Sequence, residues 1–327
     1  MEIDFFAIFR QLWANEQSTK DEIMIRRVWP LAALLAVAAC SGAAIVTPKD
    51  DDDDGGGGTS TIPTTLSADL QSVTFDGSKM MVNIKEDSGA SGAVTYTRDD
   101  RLDVPGYVAY RTQERPLDRV YVALGAISTD GSVQAVTVGD GGVSNIYYAG
   151  GTYSRTGAFD APASDKGTVH YAGTYAAVTN VDAPRDGGSD DVAQPVPPGT
   201  SDSDIPGQPS RVSGNIFLDA NFSDNNVRGS ISNRELVDTH RALADVILVD
   251  TTIARDGSFA GNTQYRDLTT IGTYGGIFGG TDANSVAGLV HLTEFDPDLD
   301  GEQEHGVFVL TQCGPNNTLP ICDNVAP

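Results

Sequence analysis

The chain of 327 residues holds 36 glycines and 16 prolines, is 7% aromatic and 20% charged, and carries a formal charge of −24. This composition excludes collagen-like, coiled-coil and multi-pass membrane proteins and fits one or two globular domains. With 45 acidic residues against 21 basic ones, the summed field repels DNA, RNA and anionic lipid headgroups, so nucleic acid is excluded as a partner. Three cysteines make an odd count, which leaves one with a task other than intramolecular pairing.

Residues 1–39 read as an N-terminal extension and a lipoprotein signal peptide. Arg26 and Arg27 form a basic cap, residues 28–37 an apolar stretch, and Ala38-Ala39 a small-residue pair before Cys40. The stretch is well short of the roughly 20 residues that a helix needs to cross a bilayer, so it is removed rather than retained. The run Leu35-Ala36-Val37-Ala38-Ala39-Cys40 resembles the tail of the bacterial lipoprotein signal, which implies that Cys40 is acylated, becomes the first mature residue and anchors the chain to a membrane. A buried structural cysteine and a plain signal peptide cut near Ala39 are the alternatives. Residues 1–23, of mixed charge, precede the basic cap, and a misplaced start codon accounts for them. Few of the charged residues precede Cys40, so the acidity belongs to the exported part.

Residues 40–66 read as a disordered acidic and glycine-rich tether, with Asp50 to Asp54 followed by Gly55 to Gly58 and little to bury. A solvated linker is preferred to a five-aspartate cation site. Beyond it no segment sustains a 3.6-residue apolar period, and short β-rich runs alternate with turn signals, so the fold is all-β. Asp76-Gly77 separates runs 72–75 and 79–84, and Asp130-Gly131 separates 120–127 from 132–138, both as two-residue hairpin signals. With runs 107–111 and 145–153 they form a small first domain of five or six strands over residues 67–165.

Residues 166–327 hold eight candidate strands: 168–178, 212–222, 227–232, 244–253, 258–264, 271–279, 286–295 and 307–312. The second alternates, with Val212, Ile216, Leu218, Ala220 and Phe222 on one side and Ser213, Asn215, Asp219 and Asn221 on the other. Eight antiparallel strands with short turns close into a soluble up-and-down β-barrel, with a two-sheet sandwich as the alternative. The polar residues that interrupt the strands argue against an outer-membrane-spanning barrel. The insertion 182–209, rich in Asp, Gly and Pro, is expected as a long mobile loop at one barrel mouth.

The segment Ile271-Gly272-Thr273-Tyr274-Gly275-Gly276-Ile277-Phe278-Gly279-Gly280-Thr281-Asp282-Ala283-Asn284-Ser285-Val286-Ala287-Gly288 resembles the strand-turn-strand of transferrin-binding protein B barrels, where a glycine-punctuated strand leads through a short turn into the next strand. The hairpin 214–232 and Asp256-Gly257-Ser258-Phe259-Ala260-Gly261 are also similar in order. The resemblance implies a small handle domain followed by an eight-stranded barrel, in a single lobe of a surface-exposed bacterial lipoprotein, similar also to factor H-binding protein. It further implies a binding role outside the cell, toward a protein or an iron- or haem-carrying ligand, at the outer membrane.

The four histidines, His170, His240, His291 and His305, lie in no metal-ligand spacing, and no nucleophile elbow, phosphate loop or dinucleotide loop is present. The reading is therefore not an enzyme, with no cofactor, no metal site and no catalytic residue; His170 and His291 read as barrel-wall residues. Asp296-Pro297-Asp298-Leu299-Asp300-Gly301 places carboxylates at alternating positions as a calcium loop does, yet position twelve is Val307 rather than a bidentate Glu, which favours a plain acidic turn. Cys313 and Cys322 flank a Gly-Pro-Asn-Asn turn, and an exported setting permits a disulfide between them. Two functions follow: a surface module that binds through barrel and handle loops, or a lipocalin-like carrier of a small apolar ligand inside the barrel.

Overall fold

The computed structural model describes residues 44–45, 61–86, 92–163 and 167–323, which form two antiparallel sheets. Cys40, the leader and most of the expected tether lie outside the described residues. The first sheet runs in chain order through β1 (Ala44–Ile45), β2 (Leu70–Phe75), β3 (Met80–Ile84), β4 (Val94–Arg98), β5 (Val108–Thr112), β6 (Tyr121–Ile127), β7 (Val133–Asp140) and β8 (Ala149–Arg155). A one-turn helix, α1 (Thr64–Ser67), precedes β2. The sheet nearly closes on itself, because the Asp69 amide donates to the Ala149 carbonyl at 2.9 Å and the Ala149 amide to Asp69 Oδ2 at 3.1 Å.

This handle has more strands than the five or six expected. In β4 only Tyr96 is buried, so the strand carries too little apolar signal to be read. Order also reaches back into the segment taken as a tether: Ala44 and Ile45 pair with Thr74 and Val73, and Ile62 and Leu66 are buried.

The Asp-Gly hairpins are longer than two residues, and the reason is a side chain. In Asp76-Gly77-Ser78, Asp130-Gly131-Ser132 and Asp256-Gly257-Ser258 the aspartate Oδ1 accepts both the serine amide, at 2.8, 3.1 and 3.1 Å, and the serine hydroxyl, at 2.8, 2.7 and 2.7 Å. Each glycine sits at positive φ. The carboxylate thus does the work of a backbone acceptor and widens the loop while fixing it.

The second sheet comprises β9 (Thr168–Asp182), β10 (Pro209–Asn221), β11 (Asn226–Leu236), β12 (Arg241–Ala242), β13 (Val246–Thr252), β14 (Ser258–Gln264), β15 (Thr270–Gly279), β16 (Ser285–Thr293) and β17 (Gln303–Gln312). The ladder β9-β10-β11-β13-β14-β15-β16-β17 returns to β9, so eight strands close a barrel rather than a sandwich, while β12 folds back on β11.

Burial divides the barrel wall into two kinds of strand. On β11 buried Val227 and Ile231 alternate with partly exposed neighbours, since only the interior is dry. In contrast, β16 is buried over Ser285–Val290, because its two faces serve two cores. Tyr175, Phe278, Val286, Val290 and Phe308 point into the barrel, whereas Ala176, Val178, Ile277, Ala287, Leu289 and Val307 pack outward against Leu66, Leu124, Val133 and Tyr153 of the handle. Strands covered on both faces read as continuous apolar runs, and those runs mark where the handle sits.

The closing seam carries a handle side chain. Between the pairs Phe308–Tyr175 and Thr311–Ala172 the β9–β17 register is kept but the pairing is interrupted. There the Tyr107 hydroxyl donates to the Thr174 carbonyl at 2.7 Å and accepts from the Val309 amide at 3.2 Å. It stands in for a missing ladder bond, and burial pushes its pKa well above the ordinary tyrosine value.

Candidate functional site

The barrel interior is occupied by its own side chains. Near the β10–β11 turn Phe278 meets Tyr171, Phe222 and Phe259 at ring-centroid distances of 5.3, 5.0 and 5.2 Å. Toward the opposite mouth Arg234 Nη2 donates to Glu304 Oε2 at 2.6 Å, the Tyr175 hydroxyl donates to Glu304 Oε1 at 2.7 Å, and Arg234 Nη1 reaches the Ala244 carbonyl at 2.7 Å. Arg234 faces inward because Asn233, at φ +51°, bulges β11 where its register with β10 shifts, and the bulge reverses the alternation of inward and outward residues. Strict alternation from Val227 and Ile231 would place Asn233 there instead.

His170, His291 and His305 lie on the wall, whereas His240 stands exposed in the turn between β11 and β12, its Nδ1 2.8 Å from Glu235 Oε1. His170 stacks on Phe217 at 5.6 Å and its Nδ1 meets Asp219 Oδ1 at 2.5 Å. His291 and His305, opposed on β16 and β17, stack at 4.5 Å, with Tyr147 of the handle 6.1 Å from His305. Burial lowers both imidazole pKa values, and the His291–His305 proximity lowers that of His305 further. No group of three or more metal-ligating side chains occurs among the described residues. In the acidic turn, Asp296 is buried against Arg241 and its amide donates to Glu302 Oε1 at 2.7 Å, so its carboxylate faces a guanidinium.

Cys313 and Cys322 form the disulfide, which ties the end of β17 to the chain beyond it. The Asn317 amide group inside this loop donates to the Ala172 and Thr311 carbonyls at 2.9 and 2.8 Å, and so completes the lower seam.

The mouth at which β9 ends and β10 begins is built differently from the mobile loop expected there. The insertion between these strands is fastened at several points. Gln208 Oε1 accepts the Val192 and Ala193 amides at 2.8 and 3.1 Å, and Gln194 donates its backbone amide to Oε1 of handle Gln113 at 2.7 Å and its side-chain Nε2 to the Gln113 carbonyl at 2.8 Å. Buried Arg211 of β10 joins Asp238 at 2.6 Å and Asp190 at 2.8 Å, and donates to the handle carbonyl of Arg101 at 3.3 Å. Arg101, with Arg111, holds the Asp99 carboxyl well below the usual carboxylate range.

The insertion, the β7–β8 loop and the β16–β17 loop together enclose a cleft of about 870 Å³. Its walls are fixed by backbone contacts. The Gly207 amide donates to the Gly142 carbonyl at 2.9 Å, and a Cβ on Gly141 would stand 2.3 Å from the Gly207 carbonyl carbon. On the barrel side Asn180 donates to the Gly301 carbonyl at 3.0 Å and accepts the Gln303 amide at 2.8 Å. Sequence reasoning placed ligand contacts on loops, but these three segments lie far apart in the chain and only folding brings them together. No helix among the described residues is long and apolar enough to cross a membrane.

No family model matches the chain, and no curated protein matches it. Among solved structures, transferrin binding protein B of Haemophilus parasuis Hp5, a vaccine antigen, is 15% identical with a TM-score of 0.35, over 82% of this chain and 60% of that one. Intact Ap-TbpB, with N and C lobes, is 14% identical with a TM-score of 0.35, over 82% of this chain and 61% of that one. The isotype 1 protein of serogroup B Neisseria meningitidis is 13% identical with a TM-score of 0.33, over 79% and 55%. The chain therefore spans 55–61% of the length of these structures.

Proposed function

We propose that the protein is a bacterial surface lipoprotein, anchored through Cys40 in the outer membrane, that captures an iron- or haem-carrying protein or solute outside the cell through its handle and barrel loops. In this reading residues 1–39 are removed, 40–66 lift the folded part from the membrane, 67–165 form the handle and 166–327 the barrel. Binding, and not catalysis, is the task. The observation that supports loop presentation is the contrast between barrel interior and barrel mouth: side chains fill the interior, while an open cleft stands between fastened loops at the mouth.

The test is titration of the full chain, immobilised on a sensor surface, with iron-loaded transferrin and with haemin, alongside a fluorescence titration with cis-parinaric acid. Saturable binding of transferrin or haemin without parinarate enhancement is expected. Failure of both ligands, or one parinarate bound per chain, overturns the reading; the second result favours the internal carrier.

A further inference from the structure

The cleft at the loop-bearing mouth has a chemistry of its own. Four carboxylates line it, Asp182, Asp202 and Asp300 exposed and Glu302 buried, and no Lys or Arg is among its lining residues. Arg185, whose charge acts on Asp182, is engaged by the Pro206 carbonyl. Exposed Ile146 and Leu299 stand on the handle and barrel sides, at 44% and 36% exposure. The cleft thus offers two apolar footholds beside its carboxylates, one on each side.

We propose that this cleft is the docking site for a protein segment that bears lysine or arginine beside apolar residues, the cation entering among Asp182, Asp202 and Asp300 and the apolar side chains seating on Ile146 and Leu299. The inference rests on the binding role above and names the kind of surface the partner presents. Charge complementarity selects the occupant: a cleft with four carboxylates in a chain of net charge −24 repels acidic segments and steers basic ones toward it. Desolvation by the surrounding cleft walls raises the pKa of the Asp182 carboxyl, although that residue stays open to solvent, and of the buried Glu302 carboxyl, an electrostatic deficit that an incoming cation relieves. The backbone fastenings at Gly142–Gly207 and Asn180–Gly301 set the walls before the partner arrives, which lowers the ordering cost of binding.

The test uses the full chain and three fluorescein-labelled peptides, alternating lysine with leucine, glutamate with leucine, and lysine with serine, read by fluorescence polarisation. The lysine–leucine peptide is expected to bind at least about tenfold more tightly than either other peptide, and more weakly as salt is raised. Asp202→Lys with Asp300→Lys should weaken it by about tenfold or more, whereas Asp224→Lys with Asp250→Lys, at the opposite mouth, should leave it within about twofold. Hydrogen exchange should slow in 141–147 and 299–303 when that peptide is bound. Equal binding of the three peptides, or equal effects of the two paired variants, overturns the proposal. That failure is separable from failure of the binding role: transferrin or haemin bound equally by the wild type and the cleft variant refutes the cleft alone, and bound by neither refutes the role.

Discussion

The hydroxyl of Tyr107, in the handle, takes the place of a strand partner for Val309 of β17, accepting its amide at 3.2 Å while donating to the Thr174 carbonyl across the seam. Tyr107→Phe keeps the ring and removes the bridge, leaving a buried donor and a buried acceptor unpaired. The expected loss is about 2–4 kcal/mol of stability, measured by urea unfolding. An unfolding midpoint unchanged from the wild type would show that the seam does not depend on the handle.

Arg234 and Glu304 are paired inside the barrel with neither side chain exposed. Removing one partner strands a charge in a dry interior, so Arg234→Met should cost about 3–5 kcal/mol. Arg234→Met combined with Glu304→Leu removes both charges and should recover most of that loss. A double variant as unstable as the single one would show that shape, rather than charge, is what this part of the core requires.

The stacked His291–His305 pair gives stability a pH dependence. Both imidazoles hold pKa values below the ordinary 6.5 because burial penalises the charged ring. Below that value the unfolded chain binds protons that the folded chain refuses, so stability is fully present above about pH 6.5 and falls as pH drops through the window beneath it, by up to about 1.4 kcal/mol per unit for His305. Urea midpoints measured across this range should show the slope, and His305→Phe should flatten it.

The strand framework was legible because its cause is local. Val212, Ile216, Leu218 and Ala220 lie at even spacing on one buried side of β10, and the eight barrel strands fall on the β-rich runs of the sequence. What escaped was set by tertiary contacts. β4 is held by pairing rather than by apolar content, and Arg234 turns inward only through the bulge at Asn233. The insertion reads as mobile from its Asp, Gly and Pro, but Gln208 and Arg211 fasten it. The unbroken apolar character of β16 was available in the sequence as a sign of a strand covered on both faces, and so of a handle packed there.

The Cys313–Cys322 disulfide closes a short loop at the end of β17. Reduction, or Cys322→Ser, should cost about 2–3 kcal/mol. Thermal unfolding with and without reductant measures it, and the Cys322→Ser protein should show no further response to reductant.

Acylation at Cys40 predicts that cells fed a radioactive fatty acid label the protein, that Cys40→Ala abolishes the label, and that the variant moves from the membrane to the soluble fraction. Unchanged labelling in Cys40→Ala would refute attachment at that residue.

The seam joins the first barrel strand to the last, with Glu304 to Gln312 laid against Tyr171 to Thr179. A ribosome or an export channel delivers those two stretches more than a hundred residues apart, and until the second has emerged the first has no partner on that side. Closure is therefore an act of the finished chain: a polypeptide threading through a narrow pore cannot complete the barrel in transit, and one cut short before β17 is left with two raw edges that invite self-association.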